Sequence, residues 1–130
     1  MKNPTHIGII LDGNRRWAQA QGVAIIHGHR EGARNLKRIA LHAFDSGIKY
    51  VTVYAFSTEN WNRTPFQVQG LMRVFRETLK NVEKEYKKEG VRIRFAGRFD
   101  RFPDDIKTMM PQIEEKTASG LVTEGNALYL

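Results

Sequence analysis

The chain has 130 residues and no cysteine, 41% of its residues are hydrophobic, and 21 Lys and Arg against 14 Asp and Glu leave a net charge of +7. This length suits one domain with a real core; the lack of Cys excludes disulfides and thiolate metal sites, and no apolar run approaches the roughly 20 residues of a membrane span. The cationic excess fits an anionic small ligand, an anionic lipid surface or a solvated face, but no aromatic-rich strand pair or helix-turn-helix spacing accompanies it, so nucleic acid is not an expected partner.

The first predicted element is Ile7 to Leu11, a short apolar run that reads as a buried strand. Asp12-Gly-Asn-Arg-Arg-Trp17 follows at once and reads as a sharp turn opening a helix. In parallel α/β folds, ligands gather where strands end and helix N-termini point free N–H groups outward. Asp12 can hold a hard cation there, and Arg15 and Arg16 can reach phosphates bridged by that cation. Gly13 lets the backbone approach closely. The competing explanations are that Asp12 merely caps the next helix and that Trp17 is core. No basic-then-apolar leader precedes this block, so a cytoplasmic location is expected rather than export.

Ile26-His-Gly-His-Arg-Glu-Gly32 comes next. His27 and His29 have the spacing of a strand-borne metal pair, but no third ligand accompanies them and zinc is not expected. Ala33, Leu36, Ile39, Ala40, Ala43 and Phe44 recur at helical spacing up to Gly47. Val51 to Phe56 is a second branched, apolar run, so the two runs read as central parallel strands covered on both faces. Ser57, Thr58, Glu59, Asn60, Trp61 and Arg63 stand just beyond it, where polar groups serve either chemistry or a capped loop.

Pro65 suits the first turn of a long helix, whose stripe of Val68, Leu71, Met72, Phe75, Leu79, Val82 and Tyr86 ends at Gly90. Val91 to Phe95 alternates as a strand with one wet side. Asp104 to Thr117 reads as a helix in which Pro111 costs about 3 kcal/mol and predicts a kink or break at Met110. Asn126 to Leu130 reads as the start of a fourth strand. The expected fold is α/β, a mostly parallel central sheet flanked by helices in a single domain truncated at the C-terminus. A last strand with no following helix leaves one sheet face uncovered.

The Asp12–Trp17 block and Tyr54-Ala-Phe-Ser-Thr-Glu-Asn-Trp-Asn-Arg63 together resemble the two opening motifs of the cis-prenyltransferases, the undecaprenyl diphosphate synthase family, in order and at similar separation. The resemblance runs from His6 to Leu130 and makes residues 1–130 the N-terminal part of such a domain. It implies condensation of isopentenyl diphosphate onto an allylic diphosphate such as farnesyl diphosphate, giving a cis-polyprenyl diphosphate. Asp12 then binds Mg²⁺ and assists diphosphate departure, and Asn60 is implicated in deprotonation, where an amide serves best by orienting groups. Gly13, Asn14, Arg15, Arg16, Trp17, His29, Ser57, Thr58, Glu59, Trp61 and Arg63 bind or shape substrate. Met72, Phe75 and Leu79 are candidates to line a tunnel for the growing chain.

Ile25 stands where family members usually carry an arginine, and Arg30 and Arg34 are the nearby cations that could compensate. The Asp-rich motif of trans-type prenyl synthases is missing: Asp104 and Asp105 are followed by Thr108 where a third aspartate would fall. Family members continue past Leu130 with the motif that binds isopentenyl diphosphate and a late metal-binding glutamate. The resemblance therefore implies either a catalytic half that needs those groups, or a non-catalytic subunit that binds polyprenyl diphosphate or a partner. It also implies a homodimer, or a heteromer with a full-length subunit, with peripheral membrane contact.

Overall fold

In the computed structural model, residues 2–54, 61–118 and 127–129 are described. The elements are β1 (His6–Ile10), α1 (Asn14–Gln21), α2 (Ile25–Asp45), β2 (Tyr50–Tyr54), α3 (Pro65–Lys88), β3 (Arg92–Arg94), α4 (Asp104–Ala118) and β4 (Ala127–Tyr129). The strands form a wholly parallel sheet in the order β1-β2-β4-β3. Ile7 lies opposite Val51 and Ile9 opposite Val53, which aligns the apolar sets of the two opening strands on one face. The expected α/β architecture is present, with the last strand inserted into the sheet beside β2. Among the described residues, no helix is long and apolar enough to cross a membrane.

One core holds these elements together. Leu36, Ala40 and Phe44 of α2, Met72, Leu79 and Val82 of α3, and Ile106, Met110 and Ile113 of α4 cluster with Val51, Val53 and Ile93 of the sheet. The periodic stripes therefore face inward as the spacing requires. On the opposite face His6, Ile10, Tyr50, Tyr54 and Arg94 are exposed, Ile10 by 75%. This corrects the expectation that both opening strands are central and doubly covered. β1 is an edge strand among the described residues, whereas β4, expected at the edge, lies between β2 and β3.

Pro111 does not break α4, which runs without interruption from Asp104 to Ala118. Pro111 sits on the exposed side. The carbonyl it leaves without a helical partner falls on that side, where water can satisfy it and the helix can bow outward. The buried side of α4 instead covers the free edge of β3. Thr117 Oγ accepts the Ile93 N–H at 3.0 Å while donating to the Ile113 carbonyl at 2.8 Å, and Glu114 accepts the Phe95 N–H at 2.8 Å. Strand N–H groups that would otherwise be orphaned are thus paired.

Thr117→Val keeps the shape of this contact but leaves the buried Ile93 N–H without its acceptor. It should lower the free energy of unfolding by about 1–3 kcal/mol, read from urea denaturation, with an unchanged slope. A loss indistinguishable from zero would mean that water reaches this edge.

Candidate functional site

Leu11 continues the pairing of β1 by donating its N–H to the Tyr54 carbonyl at 3.4 Å, and the chain then turns through Gly13 at φ 86°. That left-handed conformation suits glycine. Gly13 occupies the cap position of α1, and no side chain caps the helix. The capping explanation for Asp12 therefore fails. Its Oδ1 accepts the Gly13 N–H at 2.7 Å, its Oδ2 accepts Arg16 Nη2 at 3.3 Å, and the Asp12 and Arg16 side chains are each 77% exposed. An ion pair so exposed contributes little, so both groups are free to meet a ligand. The first turn of α1 adds backbone N–H groups without helical partners and the positive end of the helix dipole.

Two glycines missed in the sequence reading hold this turn in place. A Cβ on Gly28 would lie 2.3 Å from the Asn14 carbonyl oxygen and 2.9 Å from the Ala18 Cβ, and one on Gly32 would lie 2.4 Å from Asn14 Nδ2. α1 thus rests directly on the backbone of α2, and Asn14 is clamped over Gly28 and Gly32. The available signal was a pair of glycines one helical turn apart inside a helix, where glycine otherwise costs stability.

Asp12, Gly13, Asn14 and Arg15 share a cleft of about 170 Å³ with His29 of α2 and Arg63 just before α3. The two sequence motifs therefore meet. Leu71, Val74 and Phe75 of α3 supply the apolar wall. Of the candidate tunnel residues, Phe75 reaches the cleft, whereas Met72 and Leu79 are buried in the core. Ser57, Thr58, Glu59 and Asn60 lie outside the described residues. Trp61 is half-buried, edge-on to Phe102 and 4.9 Å beneath the Arg101 guanidinium. Trp17 is 44% exposed on α1, so it is not core.

His27 and His29 both lie within α2, where their spacing sends them to different sides of the helix, so they form no metal pair. Burial lowers the pKa of His29, and the nearby Arg63 charge lowers it further. The ring is therefore neutral at pH 7 in the free protein. Arg30 instead pairs with Glu77 and Arg34 with Glu31, and neither arginine lines the Asp12 cleft. Ile25 opens onto an adjoining space of about 560 Å³ with Ile26 and Phe66, where Arg15, His29 and Arg63 reappear on the rim.

Among the described residues, no group of three or more His, Cys, Asp or Glu side chains could hold a metal. Among the described residues of the cleft, Asp12 offers a hard, solvent-facing carboxylate beside phosphate-type donors. This donor set fits Mg²⁺ held by one carboxylate, water and phosphate oxygens.

A family model described as putative undecaprenyl diphosphate synthase matches residues 10–126. An isoprenyl transferase of Fusobacterium nucleatum is 43% identical over 114 residues, covering 88% of this chain and 50% of the relative. A ditrans,polycis-undecaprenyl-diphosphate synthase of Micrococcus luteus, designated (2E,6E)-farnesyl-diphosphate specific, is 41% identical over 88% of this chain and 46% of its own length. The crystal structure of lavandulyl diphosphate synthase from Lavandula x intermedia in complex with dimethylallyl diphosphate matches with a TM-score of 0.89 at 31% identity, covering 98% of this chain and 53% of that one. The chain spans about half the length of the relatives it matches.

Gly28→Ala forces Asn14 and the start of α1 to move and should cost about 1–3 kcal/mol in chemical denaturation. A cost near zero would show that α1 shifts freely. His29 supplies a pH test. Its folded pKa lies below the unfolded value of about 6.5, so as pH falls through that value the unfolded chain gains the proton first and stability drops. His29→Gln should therefore lose less melting temperature than the parent between pH 7.5 and 5. Parallel curves would contradict the burial of this ring.

Proposed function

Because the chain belongs to the undecaprenyl diphosphate synthase family, we propose that it acts in prenyl transfer, extending an allylic diphosphate such as farnesyl diphosphate with isopentenyl diphosphate. The allylic carbon–oxygen bond breaks and diphosphate leaves with the electron pair. A carbon–carbon bond forms to the isopentenyl double bond, and one proton is lost to give the cis-polyprenyl diphosphate. The observation that carries the reading is the single cleft in which Asp12, Asn14 and Arg15 face His29 and Arg63.

The allylic diphosphate sits at the start of α1. There Gly13 permits close backbone approach, and Asn14, Arg15 and Arg16 donate to its oxygens. Asp12 would hold Mg²⁺, which would supply charge neutralisation to the departing diphosphate. The neutral His29 ring donates a hydrogen bond to phosphate through one nitrogen, and Arg63 approaches from the second motif. Ser57 and Glu59 order the site, Thr58 binds substrate, and Asn60 orients the groups around the departing proton. Trp61 shapes the site from its packed position on Phe102, while exposed Trp17 folds over bound substrate. Leu71, Val74 and Phe75 shield the first isoprenoid carbons from water. The protein works in the cytoplasm at the membrane surface, as a homodimer or with a full-length partner.

A second reading, supported by Ile25 in the space beside the cleft, is a subunit that binds polyprenyl diphosphate without turnover. Incorporation of radiolabelled isopentenyl diphosphate into butanol-extractable product, with farnesyl diphosphate and Mg²⁺ present, separates the two. The catalytic reading expects product and a fall of about 10²–10³-fold in Asp12→Ala, the scale of losing one transition-state charge stabiliser. Mg²⁺-dependent farnesyl diphosphate binding without product selects the second reading, and no binding at all overturns both.

A further inference from the structure

The loop from Phe95 to Pro103 joins β3 to α4, and none of its residues lines the Asp12 cleft or the space beside it. It nevertheless touches the second motif. The Phe102 N–H donates to the Phe99 carbonyl at 3.1 Å, closing a turn with Arg101 at its corner. From there the Arg101 guanidinium lies over the ring of Trp61, 4.9 Å from its centroid, while Phe102 meets the same ring edge-on at 5.6 Å. Phe102 in turn packs at 5.7 Å on Phe75, which lines the cleft. The loop is held at both ends: Glu114 accepts the Phe95 N–H, and Arg76 of α3 grips Asp105 in the first turn of α4. Among the described residues no carboxylate pairs with Arg101, so its charge rests on the indole face.

Trp61 stands two residues before Arg63, the cation that the second motif brings to the cleft. Arg63 is exposed and has no ion-pair partner among the described residues, so its place depends on the backbone on either side of it. Downstream, Thr64 and Gln67 form a reciprocal cap on α3: the Gln67 N–H donates to Thr64 Oγ1 and the Thr64 N–H to Gln67 Oε1, each at 3.3 Å. Upstream, the backbone is held through the Trp61 ring. Resting on the reading of the cleft as a diphosphate site, we infer that Arg101 is a positioning residue, which holds the face of Trp61 from the turn before α4 and thereby fixes Arg63 at the cleft. A guanidinium fixed in this way meets an anion with less freedom left to lose.

The test uses the intact chain and two readouts. In calorimetric titration of farnesyl diphosphate with Mg²⁺, Arg101→Leu should weaken binding about fivefold, the scale of one exposed cation–π contact, while Arg101→Lys keeps a cation over the ring and stays within about twofold. Added to Arg63→Ala, Arg101→Leu should cost nothing more, because it acts through Arg63. NMR titration of His29 reads the same coupling without ligand. Asp12, Arg15 and Arg63 face that ring in the cleft and Arg73 in the space beside it, and after burial it is Arg63 that lowers its pKa. Arg101→Leu should therefore raise the His29 midpoint, as Arg63→Ala does, and the two together should raise it no further than Arg63→Ala alone. Affinity losses that add in the double variant, or a His29 midpoint that Arg101→Leu leaves unmoved, overturn the positioning role. A parent that binds no farnesyl diphosphate, or binding that survives Asp12→Ala, overturns the cleft reading instead, and the His29 titration still decides the role of Arg101.

Discussion

The contact of Asn14 with Gly28 and Gly32 sets the position of the residues that line the Asp12 cleft. Helices normally pack with side chains between their axes, at separations of roughly 8–10 Å. Here a Cβ on Gly28 would collide with the Asn14 carbonyl oxygen, so the first turn of α1 presses against the bare backbone of α2. His29 and Ala33 stand immediately beyond the two glycines, and both line the cleft that contains Asp12. One steric permission on α2 thus brings the strand-end carboxylate, the helix N–H groups and the imidazole together. Glycine's entropic cost inside a helix is offset by a geometry that no side chain would allow.

That geometry explains why the charges of the cleft are arranged loosely. Asp12 and Arg16 touch through an exposed pair, and Arg15 and Arg63 point at the same small volume. Elsewhere the chain pairs its cations closely. Arg76 grips Asp105 through two nitrogens, Arg30 grips Glu77 in the same way, and each carboxylate is held below the usual range by its arginine. Tight pairs tie α3 to α4 and α2 to α3, whereas Arg15, Arg16 and Arg63 stand where a strand ends and a helix begins, so part of the basic surplus faces a place where a ligand's charge can complete it.

The sequence made some features legible and hid others for physical reasons. Asp12 through Arg16 could be read because strand, turn and helix start are consecutive, so local chemistry and local geometry coincide. Long stripes such as that of α3 were readable because a period sustained over several turns has one structural meaning. Which members of that stripe face the cleft was not readable: Phe75 lines it, while Met72 and Leu79 are core, and the choice depends on how α3 rolls against α2. Pro111 misled because its cost depends on which side of α4 meets water. The spacing of Gly28 and Gly32 marks a close approach to α2, but that Asn14 of α1 makes it is a tertiary contact that α2 alone does not encode.

Ile25 shows how a single departure redistributes work in such a site. It lies with Ile26, Phe66 and Leu71 in the space beside the cleft, so that region is apolar along one side and cationic along its rim. An arginine there would have added a charge close to Arg15 and Arg63 and deepened the field that already disfavours protonation of His29. With an apolar side chain, the anion must be held by Arg15, Arg16, Arg63 and the N–H groups of α1. Arg15 and Arg63 line both the cleft and the space that contains Ile25. Under the proposed function, Leu71, Val74 and Phe75 then stand where the first carbons of a tail attached to that anion would lie.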